Sequence, residues 1–212
     1  MLELQSFSLH SRSGEMNLPN KLTISRFILT IAFLVVMFSK IPFHQTIGLV
    51  LFVAAGISDF LDGQIARRRN LITNFGILMD PLADKIMVCS AFIAFVELDR
   101  IKAWMVVIIV ARELAITGLR LLAASKNVVL AAEGYGKHKT VSQIVAIISI
   151  LVVVSYEQWG APGKLLFGWS LIGGRPWVHD FTELAKWVAV ILTFISGWLY
   201  LWKNRPIYLQ DL

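Results

Sequence analysis

Asp59-Phe-Leu-Asp62-Gly63-Gln-Ile-Ala66-Arg67, then eight residues, then Gly76-Ile-Leu-Met-Asp80-Pro-Leu-Ala-Asp84: this stretch decides how the chain reads. Apolar runs flank it, Ile47 to Ile57 before and Ile86 to Val96 after. Carboxylates are costly in hydrocarbon, so membrane chains keep them where they line a functional site. Four together require a strong positive charge, and a pair of divalent ions is the simplest candidate.

The surrounding composition supports a membrane setting. Of 212 residues, 57% are hydrophobic and 16% charged, against about 45–50% and about 25% in soluble domains. The single Cys89 excludes an intrachain disulfide framework and reads as a small core or lipid-facing residue. The first 16 residues are polar and mixed, without the apolar core of a secretory signal.

A spanning helix needs about 20 mostly apolar residues. Six segments qualify, at about 22–39, 46–66, 76–97, 103–123, 140–156 and 183–202. The expected fold is therefore all-α, a polytopic membrane protein of six transmembrane helices. Residues 1–16 read as an N-terminal cytoplasmic tail, 17–205 as the transmembrane catalytic domain and 206–212 as a C-terminal tail. The break from Trp159 to Asp180 is rich in Gly, Pro and Trp. Trp159, Trp169 and Trp177 put it at the water–lipid boundary, with Lys164 to Ile172 a candidate short re-entrant piece. Alternate loops divide the Lys and Arg residues 13 to 6, with Arg112 inside a segment and set aside. The richer side is expected to be cytoplasmic, with both termini and the acidic motif on it. The net charge of +6 suits anionic headgroups and phosphorylated substrates.

On a helix, Asp59, Asp62, Gly63, Ala66 and Arg67 share one face, and so do Gly76, Asp80 and Asp84. Two helices joined by a short polar turn are expected to be antiparallel neighbours, bringing four carboxylates around one volume. Gly63, Ala66 and Gly76 remove bulk where helices or a flat ligand approach, and Arg67 offers a fork for phosphate. Hard oxygen donors select Mg²⁺, Mn²⁺ or Ca²⁺ over Zn²⁺. A two-ion site can hold the attacking and leaving oxygens of a phosphoryl displacement. The bland alternative is a buried ion network with Arg67, Arg68 and Arg69, which leaves the shared face of acids and glycines without a reason. A divalent-cation transporter is the alternative from another class. It leaves Gly63, Ala66, Arg67 and Gly76 idle.

The pattern D-x-x-D-G-x-x-A-R-x8-G-x3-D-x3-D, complete at all eight fixed positions, resembles the signature of the CDP-alcohol phosphotransferases. The resemblance implies a six-helix membrane fold, usually a homodimer, that binds a CDP-linked donor beside two divalent ions, Mg²⁺ or Mn²⁺. By it, Asp59, Asp62, Asp80 and Asp84 would hold the ions. Asp59, Asp62, Gly63, Ala66, Arg67 and Gly76 would contact the CDP moiety, and Asp84 would be the general base for the acceptor hydroxyl.

Further segments are similar to one branch of that family, the bacterial phosphatidylglycerophosphate synthases. They are Asn17-Leu-Pro19-Asn20-Lys-Leu-Thr23-Ile-Ser-Arg26, Met79-Asp80-Pro81-Leu-Ala-Asp84-Lys85, Ala111-Arg112-Glu113-Leu-Ala-Ile-Thr117-Gly118-Leu-Arg120 and Gly136-Lys137-His-Lys139-Thr140-Val-Ser-Gln143. This resemblance implies transfer of the phosphatidyl group of CDP-diacylglycerol to glycerol 3-phosphate, with CMP as the other product. Four cations, Arg112, Arg120, Lys137 and Lys139, stand near the cytoplasmic ends of segments four and five and would suit the acceptor's dianionic phosphate. Plainer roles stand beside these. Arg112 and Glu113 make a local charge pair, Arg120 snorkels, and Lys137 and Lys139 are ordinary positive-inside residues. Asn20, Thr23 and Arg26 cap or anchor the first segment or, with Gln143, line the site. Within the family the alternative is a cardiolipin synthase taking phosphatidylglycerol as acceptor.

Overall fold

A computed structural model describes residues 18–69, 74–126, 128, 130, 135–170 and 174–209, and within these ranges the side chains of 18–23, 59–84 and 135–136 are outside the described part. Among the described residues the protein is all-helical, its only extended pairing a single bridge between Ser170 and Pro176. The helices are α1 (Leu18–Phe38), α2 (His44–Arg69), α3 (Asn74–Glu97), α4 (Ala103–Ser125), α5 (Tyr135–Ser155), α6 (Gly160–Phe167), α7 (Trp177–Lys203) and α8 (Arg205–Leu209). A 3₁₀ turn at Tyr156–Trp159 joins α5 to α6.

The breaks have local causes. Pro42 follows the end of α1, where a proline nitrogen cannot donate to a continuing helix. Asp99 ends α3 with φ 54°. Its N–H donates to Val96 O at 3.1 Å and that of Arg100 to Phe95 O at 2.8 Å, the paired bonds of a Schellman cap. Three helix starts differ from the hydropathy reading by four or more residues, the first being α1, which begins at Leu18 rather than about 22. α5 begins at Tyr135, before Lys137 and Lys139, and α7 at Trp177, before Asp180 and Glu183. Hydropathy registers where apolar side chains stop, whereas backbone hydrogen bonds carry each helix on through polar residues. Of the stretch 164–172, residues 164–167 are the end of helix α6 (Gly160–Phe167), and 171–172 lie outside the described residues.

α1 packs on α2 and α3, α5 on α2, α3 and α7, and α4 on α3 and α7. Phe33, Phe52, Phe92, Phe95, Ile109, Ile147 and Leu151 fill the centre of the bundle. The rest of the cross-section is inverted relative to a soluble protein. On α7, Thr182, Ala185, Ala189, Thr193, Ser196 and Gly197 point inward, while Leu184, Ile191, Phe194, Trp198 and Trp202 are exposed. On α1 the exposed stripe is Ile28, Ile31, Val35 and Phe38. Small and hydroxylated residues inside with large apolar residues outside is the arrangement that hydrocarbon rewards, and an apolar surface this extensive is not left to water. The run Lys137–Phe167 and helix α7 are long and apolar enough to cross a bilayer, and Ile24–Phe38 and His44–Ser58 are shorter apolar helices.

Five of the seven tryptophans, Trp104, Trp159, Trp169, Trp177 and Trp187, gather at one end, away from Trp198 and Trp202. Trp104 packs on Trp187 in a tilted pair with ring centroids 5.6 Å apart, and Phe167 contacts Trp159 and Trp177 at 5.7 and 6.0 Å. Trp159 Nε1 donates to Thr46 Oγ1 at 3.0 Å, tying this aromatic layer to the start of α2. Rings with one polar atom suit the interfacial depth.

Candidate functional site

At the opposite end, a cavity of about 620 Å³ opens between α1, α2, α3, α4 and α5. Its apolar wall includes Phe52, Ala55, Val88, Ile144 and Ile148. Its polar wall is cationic: Arg26, Lys85, Arg120 and Lys139, with Glu113 as the acid among the described lining residues.

The acidic motif borders this cavity through its chain neighbours. Side chains of Asp59, Asp62, Gly63, Ala66, Arg67, Gly76, Asp80 and Asp84 lie outside the described residues, but both of their helices are continuous in backbone through α2 and α3. Phe52, Ala55 and Gly56 of α2 line the cavity, and the helical register extends their stripe to positions 59, 63 and 66. Val88 of α3 lines it too, and steps of four lead back to positions 84 and 80. The described parts of α2 and α3 thus both border this volume. Carboxylate oxygens are hard donors of the kind divalent ions take.

Glu113 organises the cationic wall. It is 6% exposed and sits on α4 between the buried Lys139 and the half-buried Arg112. Its Oε1 accepts from Lys139 Nζ and, at 3.3 Å, from Arg112 Nη1. Lys139 is 5% exposed. One turn on, Thr117 Oγ1 donates to Glu113 O at 2.7 Å and accepts from Lys85 Nζ, which draws the residue after Asp84 against α4. Arg120 Nε donates to Tyr200 Oη at 3.3 Å, with its guanidinium carbon 5.7 Å from that ring's centroid. Gln143 is buried on the cavity wall and donates from Nε2 to Thr193 Oγ1 at 2.9 Å.

The four cations expected to act together are thus divided. Arg120 and Lys139 line the cavity. Arg112 stands one layer behind Glu113, and its Nε is buried without a hydrogen-bond partner among the described residues. Lys137 is exposed and lines a separate groove with Val141, Val145 and Leu192. The helix explains the split, because two residues turn the chain by about 200°. Arg26 joins the wall from α1, where Thr30 Oγ1 donates to its carbonyl at 2.9 Å. The side chains of Asn20 and Thr23 lie outside the described residues. Sequence reasoning did not select Lys85, Glu113, Gly197 or Tyr200 for the site. Lys85 and Glu113 each stand beside a selected residue, whereas nothing in the local sequence marks Gly197 or Tyr200.

The described residues form a helical bundle with an apolar outer surface and a cationic cavity, and comparison with known proteins gives the chain a family. The model of the CDP-alcohol phosphatidyltransferase family matches residues 16–195, so the chain belongs to that membrane-bound family. It is 40% identical over 200 residues to the CDP-diacylglycerol–glycerol-3-phosphate 3-phosphatidyltransferase of Bacillus subtilis (strain 168), covering 89% of this chain and 95% of that one. The proteins of the same name from Rickettsia bellii (strain RML369-C) and Mycoplasma pneumoniae (strain ATCC 29342 / M129 / Subtype 1) are 35% and 33% identical. They cover 87% and 76% of this chain and 93% and 80% of their own.

Proposed function

We propose that this protein transfers the phosphatidyl group of CDP-diacylglycerol to sn-glycerol 3-phosphate, giving phosphatidylglycerophosphate and CMP. The observation that carries this reading is the cationic wall of Arg26, Lys85, Arg120 and Lys139 beside the acid-bearing helices. An acceptor that brings its own dianionic phosphate needs such a wall. A neutral alcohol does not. The relatives named for this reaction extend over nearly the whole chain.

The acceptor phosphate docks on Lys139 and Arg120, with Lys85 nearby. Glu113 keeps Lys139 pointed across the cavity, and Arg112 in turn holds Glu113. The acceptor hydroxyl gives its proton to Asp84 while its oxygen attacks the phosphorus of the phosphatidyl group. The bond from that phosphorus to the CMP oxygen breaks, and CMP leaves with the electron pair. Asp59, Asp62, Asp80 and Asp84 would hold two divalent ions, Mg²⁺ or Mn²⁺, which when bound offset charge on the phosphate oxygens. Gly63, Ala66 and Gly76 leave room for the CDP portion, and Arg67 pairs with its phosphates. The donor's acyl chains stay in lipid, held there at about 0.8 kcal/mol per buried methylene.

In this reading α1, α2, α3, α4, α5 and α7 are six spans and α6 lies in the interface. Both ends and the site face the cytoplasm, and the working form is a homodimer. The deciding experiment supplies the purified protein with CDP-diacylglycerol and a panel of acceptors, among them glycerol 3-phosphate, phosphatidylglycerol, serine and inositol phosphate. CMP release and lipid products are then followed. Phosphatidylglycerophosphate from glycerol 3-phosphate is expected; a product only from phosphatidylglycerol would make the protein a cardiolipin synthase instead.

A further inference from the structure

The last turns of α7 are chemically two-sided. Trp198 and Trp202 are exposed, whereas Thr193, Gly197 and Tyr200 point inward and meet long polar side chains of α4 and α5. A Cβ at position 197 would stand 2.6 Å from Arg112 Cγ. Only glycine lets the stem of that arginine lie against the α7 backbone. Tyr200 is 5% exposed, with its hydroxyl oxygen accepting a hydrogen bond from Arg120 Nε–H and its ring beneath the guanidinium. Neither Gly197 nor Tyr200 lines the cavity.

We infer that the inner face of α7 is a positioning wall for the anion pocket, with Tyr200 setting Arg120 and Gly197 setting Arg112. The inference rests on the reading of that pocket as the seat of a phosphorylated acceptor. Its physical basis is pre-organisation. An arginine loses rotamer freedom when it closes on a phosphate, and one already held loses less. The geometry also directs the fork. Tyr200 engages Nε and leaves the two terminal nitrogens of Arg120 for a bidentate phosphate contact. Arg112 acts at one remove, because it reaches the cavity through Glu113.

The test uses the full-length protein in lipid–detergent micelles, with kcat and KM measured separately for glycerol 3-phosphate and CDP-diacylglycerol. Tyr200→Phe keeps the ring and its volume but removes the acceptor oxygen. It is expected to raise KM for glycerol 3-phosphate about 3- to 10-fold, part of the worth of a hydrogen bond to a charged group. Both kcat and KM for CDP-diacylglycerol should stay within about twofold, since the donor does not use Arg120. In an Arg120→Ala background the same substitution should change nothing further. An unchanged KM for glycerol 3-phosphate, an equal rise for both substrates, or full additivity with Arg120→Ala would overturn the inference. Gly197→Ala supplies an independent arm: it should raise the same KM alone and be silent with Arg112→Ala, and an effect that persists in the double variant counts against the wall. These outcomes differ from failure of the proposed reaction, in which the unaltered protein would release no CMP with glycerol 3-phosphate.

Discussion

Replacing Glu113 by Gln removes one negative charge from between Lys139 and Arg112 and nearly preserves volume. At 3.3 Å and an effective dielectric of about 20, the Arg112–Glu113 attraction is roughly 5 kcal/mol. Lys139 is paired to the same oxygen, and the side chains of all three residues are 6–13% exposed, so solvent does little to screen them. Much of that attraction is offset by the desolvation of the three charges. The relevant magnitude is the cost of breaking a buried pair and leaving its partner uncompensated, about 3–5 kcal/mol. Glutamine still offers an acceptor oxygen, which places the expected loss near the lower end, about 3 kcal/mol. The assay is reversible unfolding in mixed micelles at fixed lipid content, followed by helical circular dichroism. A second reading comes from added inorganic phosphate. In the variant Lys139 and Arg112 lack their anion, so phosphate should stabilise it more than it stabilises the unaltered protein. Saturation at 100 times the dissociation constant is worth about 2.7 kcal/mol. A loss below about 0.5 kcal/mol, together with an identical phosphate response in both proteins, would refute the claim that Glu113 is the hub of the cationic wall.

Other outcomes follow from the same site. Asp80→Asn should abolish CMP formation while leaving the fold intact, because a carboxylate oxygen is lost from the donor set; near-normal turnover would contradict its assignment to an ion. EDTA should stop the reaction and either Mg²⁺ or Mn²⁺ should restore it, with activity that survives chelation arguing against ion dependence. Lys139→Met keeps the buried stem and removes the ammonium. It should raise KM for glycerol 3-phosphate about tenfold or more while KM for CDP-diacylglycerol holds; equal changes in both would remove Lys139 from the acceptor pocket. Lys137→Met, two residues away on a different face, should leave both constants within about twofold, and a large rise for glycerol 3-phosphate would return Lys137 to the pocket.

Much of this protein is legible in its sequence because the informative signals are local. Apolar length announces the helices, and the i, i+3, i+4 spacing of the aspartates announces one face per helix, since 3.6 residues per turn is a property of the backbone. The interruptions at Pro42 and Asp99 are local as well. Helix starts at Tyr135 and Trp177 were less legible, because polar first turns are invisible to a hydropathy count.

The division of labour among the cations was not legible. In sequence Arg112 and Glu113 are adjacent and Lys137 and Lys139 nearly so, and all look alike as charges beside a membrane. Packing decides which face the cavity. α5 turns Lys139 inward and Lys137 outward, and the approach of α7 seats Arg112 behind Glu113. Tyr200 lies 80 positions from the arginine it holds, and no local pattern encodes a contact across that separation. The sequence by itself determined the helical class and the membrane as solvent, because both are written in local runs of chain. Tertiary structure alone decided which charges meet, because that depends on how separate helices rotate and close against one another.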